Sequence, residues 1–83
     1  LCDGSVVADS LIASIVSNIS GVKSAHNIRT RGREDDIHVD LHVRIDPLMH
    51  VDDAHEMSHK IEKALKKNIS GVTDVIVHIE PSK

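Results

Sequence analysis

The chain has 83 residues, a net charge of −3 with histidine neutral, 40% hydrophobic residues and no Phe, Tyr or Trp. That suits one small domain with an aliphatic core, stabilised only marginally by its own burial and open to help from a partner subunit or a bound metal. The apolar content excludes a disordered chain. Interspersed charges and missing aromatic platforms argue against nucleic acid, and no stretch approaches the roughly 20 apolar residues of a membrane span.

Cys2 is the single cysteine. It has no second thiol to pair with inside the chain, so a reducing compartment is compatible. The chain does not begin with Met, and it is expected to be a piece of something longer. The first periodic segment predicts a helix over 6–18, where Val7, Leu11, Ile12, Ile15 and Ile19 form one apolar stripe. A repeat follows: Asn18-Ile19-Ser20-Gly21-Val22 recurs as Asn68-Ile69-Ser70-Gly71-Val72. Asn and Gly tolerate the left-handed backbone that ends helices. Each copy is therefore expected to close a helix and launch a strand.

A strand is expected over 23–31, although Val22 to Arg31 does not alternate cleanly and leaves the facing of His26 open. It turns near Gly32–Asp36 into the clearest strand of the chain, 37–45. There Ile37, Val39, Leu41, Val43 and Ile45 alternate with His38, Asp40, His42 and Arg44, giving one apolar and one polar face. The basic run Arg29-Thr30-Arg31-Gly32-Arg33 meets Glu34-Asp35-Asp36 at once and reads as charge pairing within a hairpin. Pro47 closes the strand. His50 stands near the N-cap of a second helix, 51–67, as a tolerated replacement for a better cap. The stripe of that helix is Ala54, Met57, Ile61, Ala64 and Leu65, with Asp52, Asp53 and Glu56 early and Lys63, Lys66 and Lys67 late, as the helix dipole favours. The last strand, 73–80, alternates Val75, Val77 and Ile79 with Ile76, His78 and Glu80.

The order helix–strand–strand–helix–strand predicts an α+β fold. Its simplest form is a three-stranded mixed sheet with 37–45 in the centre and both helices on one face. The side carrying His38, Asp40 and His42 would face outward. Seven histidines are present, against about two for ordinary composition. A lone surface histidine means little, but His42, His78, Glu80 and Asp40 share the predicted outer face, and His26 lies on the neighbouring strand. Adjacent strands run about 4.8 Å apart, so imidazole and carboxylate groups there can converge on one divalent ion. His55 would join them if the start of its helix folds over the sheet edge.

His55-Glu56-Met57-Ser58-His59 satisfies H-E-x-x-H, with two histidines one turn apart and able to chelate. A metalloprotease also needs a third ligand and a substrate cleft, which a chain this small can hardly build. A solvated helix face is the plainer reading.

Several segments together resemble the cytoplasmic C-terminal domain of cation diffusion facilitators, a family of divalent-metal transporters. They are Leu1-Cys2-Asp3; Gly21-Val22 with Ala25-His26-Asn27-Ile28-Arg29-Thr30-Arg31; Val39-Asp40-Leu41-His42-Val43; Asp46-Pro47 with Ala54-His55; and Val77-His78-Ile79-Glu80-Pro81. The resemblance implies a metallochaperone-like (ferredoxin-like) fold, with residues 1–5 linking from a transmembrane domain and 6–83 forming a metal-binding and dimerisation domain on the cytoplasmic side of a membrane. It implies a V-shaped homodimer that metal closes, and it places family histidines on His26, His42, His55 and His78, with the following carboxylate on Glu80. His38, His50 and His59 match no general family position. The expected ligand is a divalent cation, zinc first, with iron, cobalt, nickel, copper and manganese as alternatives; magnetosome-type members are among the relatives it resembles. No nucleic acid, small-molecule substrate or enzymatic activity is expected. Two other classes stay in view: a soluble metallochaperone or metal sensor of similar fold, and a small zinc hydrolase built on His55, Glu56 and His59.

Overall fold

A computed structural model describes residues 7–82. The expected linker at 1–5, Cys2 and the first residue of the expected 6–18 helix lie outside the described residues. The elements run α1 (Asp9–Ser17), β1 (Ser24–Arg33), β2 (Asp36–Ile45), α2 (Val51–Asn68) and β3 (Val72–Pro81). They form one sheet in the order β1-β2-β3, with β1 antiparallel and β3 parallel to the central β2. The expected α+β, ferredoxin-like architecture is what the chain adopts. Among the described residues, no helix is long and apolar enough to cross a membrane.

Strict alternation in β2 places Ile37, Val39, Leu41, Val43 and Ile45 in the core. Ile12 and Val16 of α1 and Met57, Ile61 and Leu65 of α2 close over them from the same side. Each such fully buried side chain contributes on the order of 1.5–3 kcal/mol relative to an exposed one. Because both helices cover one face, the opposite face of the sheet remains for polar side chains.

The element ends differ from expectation in instructive ways. Helix α1 begins at Asp9, because Ala8 is extended and makes no side-chain cap. Helix α2 does have a cap, made by an imidazole: His50 Nδ1 accepts the Asp52 N–H at 3.1 Å. In the repeat, the glycines and not the asparagines take the left-handed backbone. Gly21 and Gly71 have φ of +96° and +95°, whereas Asn18 stays right-handed and Asn68 donates from its side chain to the Ala64 carbonyl at 2.8 Å. The hairpin turn is only Glu34–Asp35, tighter than the predicted 32–36, with both strands running on to Arg33 and Asp36.

One irregularity decides what the outer face carries. Across β1 and β2, His26 pairs with His42 and Arg29 with Asp40, so Asn27 and Ile28 together oppose Leu41. This is a β-bulge, and Asn27 at its centre has φ +50°, the only positive φ of a non-glycine residue among the described residues. The extra residue switches parity. Ser24 and His26 face outward before it, Arg29 and Arg31 after it, while Ala25 and Ile28 both turn to the core. The broken alternation of 22–31 is the trace of this bulge.

Candidate metal centre

The register stacks the outer face into rows across the three strands. His26, His42 and His78 form one row, each directly opposite the next, and Arg44 pairs with Glu80 in the row beside it. The rings of His42 and His78 are nearly parallel, with an interplanar angle of 21° and centroids 4.6 Å apart, and those of His26 and His42 are tilted at 5.5 Å.

Glu80 leans back over this row. His42 Nδ1 lies 2.6 Å from Glu80 Oε2, and His26 Nε2 lies 3.2 Å from Glu80 Oε1. One ligand atom from each of His26, His42 and Glu80 falls within 4.8 Å of the others. All three side chains keep about a third of their surface exposed, 30% for each imidazole and 35% for the carboxylate, so an ion can reach them. The His42 hydrogen bond, more than the nearby imidazoles and the Arg44 guanidinium, holds the Glu80 carboxyl below its ordinary range. Arg44 Nε stands 3.8 Å from Glu80 Oε1.

Two imidazoles and a carboxylate are the donor set that zinc-like ions accept. His26 turns Nε2 toward Glu80, and its other ring nitrogen, Nδ1, is buried without a hydrogen-bond partner, where buried polar atoms normally have one.

The other expected site residues are placed differently. His78 joins the row by stacking on His42 but is not in the converging group. Asp40 faces outward as expected, where it accepts from Arg29 Nε at 3.4 Å and completes the next row. His55 does not fold over the sheet edge within the protomer. Helix α2 lies across the core, on the opposite side of the sheet, and His55 is exposed there with its Nε2 at 3.1 Å from His59 Nε2. His38, unassigned from sequence, sits between Asp36 (3.2 Å) and Asp74 (3.6 Å) on the outer face. Alternation alone puts it there, but the two flanking carboxylates depend on strand register.

A three-stranded mixed sheet with two helices on one face is the ferredoxin-like α+β fold. Residues 8–82 match the family model described as the cation efflux protein, cytoplasmic domain, and the chain belongs to that family. Among curated relatives it is similar to metal tolerance protein C1 of Arabidopsis thaliana, 30% identical over 99% of this chain and 18% of that protein. It is also similar to the cation-efflux pump FieF of Pectobacterium atrosepticum, 33% identical over 84% of this chain and 23% of that protein. The chain thus spans about a fifth of the length of these relatives. Among solved structures, a variant of the MamM C-terminal domain superposes with a TM-score of 0.82 at 26% identity, covering 89% of this chain and 91% of that one. A nickel form of another variant gives 0.82 at 23% identity, covering 89% and 94%, and bears on the fold alone.

Proposed function

We propose that this domain binds a divalent cation through His26, His42 and Glu80, with His78 packed alongside, and so regulates a membrane transporter that carries it as a homodimer. The single observation behind this reading is the alignment of His26, His42 and His78 in one row with Glu80 closing over it. Family membership supports the transporter context, and the names of the pump relatives support a metal as the ligand. Zinc is the first expectation on donor chemistry, and iron, cobalt, nickel, copper and manganese fit the same set with different preference.

The chain's own residues do three things in this scheme. Glu80 and the two imidazoles supply charge and lone pairs. The stacked His78 limits the swing of the His42 ring. The sheet fixes the spacing in advance, so little ordering is needed on binding. Metal then biases the equilibrium between open and closed arrangements of the two protomers by binding the closed one more tightly. No catalytic role is assigned to His55, Glu56 and His59, which stand exposed on a helix surface where a scissile bond would sit in bulk water.

Small-angle scattering of the purified domain, with and without saturating zinc, tests the scheme. A dimer that becomes more compact with metal supports it, and unchanged dimensions at saturation reject the switching role.

A further inference from the structure

Helix α2 carries a second pair of imidazoles on the layer opposite the sheet site. His55 and His59 are one helical turn apart, their Nε2 atoms are 3.1 Å from each other, and their rings stand at 89° with centroids 4.6 Å apart. With no ion between them, one Nε2 donates its hydrogen and the other accepts. The same spacing suits a chelate. Two nitrogens bound at about 2.0–2.1 Å and separated by this distance subtend roughly 100° at the ion, between square and tetrahedral angles.

The helix holds this bite ready. Residues four apart are neighbours on a helix surface, and both lie well inside the 18 residues of α2. Behind the far nitrogen of His59 stands a carboxylate: Nδ1 lies 3.9 Å from Glu62 Oε1, close enough for its charge and too far for a direct hydrogen bond, and Lys66 Nζ holds Glu62 with a 2.9 Å bond. A carboxylate behind one ring nitrogen favours the tautomer that leaves the other with a free lone pair. His59 is 57% exposed, so nothing blocks access.

We propose that His55 and His59 chelate a late first-row divalent cation on the solvent face of α2, as a second metal site separate from the one on the sheet. The His55-Glu56-Met57-Ser58-His59 sequence is then a two-imidazole clip and not a hydrolase motif. Copper(II), nickel(II) and zinc(II) are the ions that imidazole pairs favour. Water fills the remaining positions. The ring that had donated moves its proton to Nδ1, and both Nε2 lone pairs turn to the metal. A clip closed across one turn binds the helix and not the unfolded chain, so the ion stabilises the fold.

This inference does not rest on the sheet site, and the test keeps the two apart. Zinc(II) and nickel(II) are titrated calorimetrically into the full chain, into the His26→Ala/His42→Ala/Glu80→Gln variant, and into each with His59→Gln added. Far-UV circular dichroism confirms that each variant is folded. Because the chain has no Phe, Tyr or Trp, histidine rings alone supply its aromatic proton signals, and two of them should respond when the clip fills. The sheet-site variant is expected to retain one bound equivalent, and His59→Gln to weaken that binding at least tenfold. Should the sheet-site variant not fold, the unaltered chain gives the same reading by losing one class of site on His59→Gln. Metal binding that His59→Gln leaves unchanged, in either background, overturns the inference.

Discussion

His42 and Glu80, 38 residues apart in the chain, meet at 2.6 Å because β3 returns parallel to β2 and carries Glu80 two residues beyond the pairing of His42 with His78. The contact is diagonal. Direct register opposes His42 to His78 and Arg44 to Glu80, and the Glu80 side chain leans back to reach both His42 and His26. That reach makes Glu80 the residue on which the sheet site turns.

Removing a converging donor should therefore cost most. His26→Ala, His42→Ala and Glu80→Gln are each expected to weaken metal binding by at least about 10- to 100-fold, the scale already seen when a mere hydrogen-bond partner of a ligand is lost. His78→Ala, which removes a stacking neighbour and not a converging atom, should cost less. Calorimetry on the four variants orders them, and a loss for His78→Ala exceeding those for His26→Ala and His42→Ala would move the site along the row.

Arg44 should act in the opposite direction. Its guanidinium stands 3.8 Å from Glu80 Oε1, where a dication would have to share the carboxylate with a fixed positive charge. Half exposed, it is partly screened. Arg44→Gln is expected to raise metal affinity roughly two- to fivefold at low salt, with the gain shrinking as ionic strength rises. Titrations at two salt concentrations measure it.

The bulge offers a test of backbone and site together. A left-handed backbone costs an ordinary L-residue roughly 1–2 kcal/mol, and asparagine and glycine tolerate it best. Asn27→Gly should leave stability and metal binding nearly unchanged. Asn27→Val should lose about 1–2 kcal/mol by denaturant unfolding, and should also weaken metal binding, because the parity that turns His26 outward depends on this residue.

Acid should act on the fold and on the site at different pH. The Asp36, Glu62 and Glu80 carboxyls are held below their ordinary values, chiefly by the Thr73 hydroxyl, the Lys66 ammonium and the His42 imidazole. A carboxyl with a lowered folded-state pKa adds stability that is complete above its unfolded value and is lost as pH falls through the folded one. Unfolding free energy from these three should therefore be level above pH 4.5 and decline below it. Metal affinity should fail earlier, below about pH 6, because protonated imidazole cannot ligate. Thermal melts and metal titrations from pH 8 to 4 separate the two. Metal affinity flat from pH 8 to 5 would contradict histidine ligation.

Much of this was legible before the structure. The unbroken alternation of 37–45 announces a central strand with one wet face, since its period of two leaves no other arrangement that buries all five aliphatic residues. The helices follow from their stripes. What lay beyond reading was the place of the bulge: the broken alternation of 22–31 shows that the strand is irregular but not that Asn27 is the left-handed residue at which the facing switches. The same limit explains the placement of His55. The stripe of Met57, Ile61 and Leu65 turns His55 to solvent, but a stripe does not say where the start of its helix lies relative to the sheet edge, and that came only with the structure. Glu34–Asp35 is a tighter turn than expected because the hairpin continues through the left-handed Gly32, φ +106°, which still pairs with Ile37.

The three converging side chains come from the first, second and last strands of the sheet, with a whole helix spun out between the second and the last. Synthesis from the N-terminus delivers His26 and His42 first, on the two strands of one hairpin, and Glu80 only after the whole of α2 has followed. Until β3 docks, the hairpin offers two imidazoles without their shared carboxylate. Pairing a parallel strand across so long a loop is slow relative to closing a hairpin. Tight capture of a cation at this face would thus report that β3 has docked, and the hairpin alone would let the ion go.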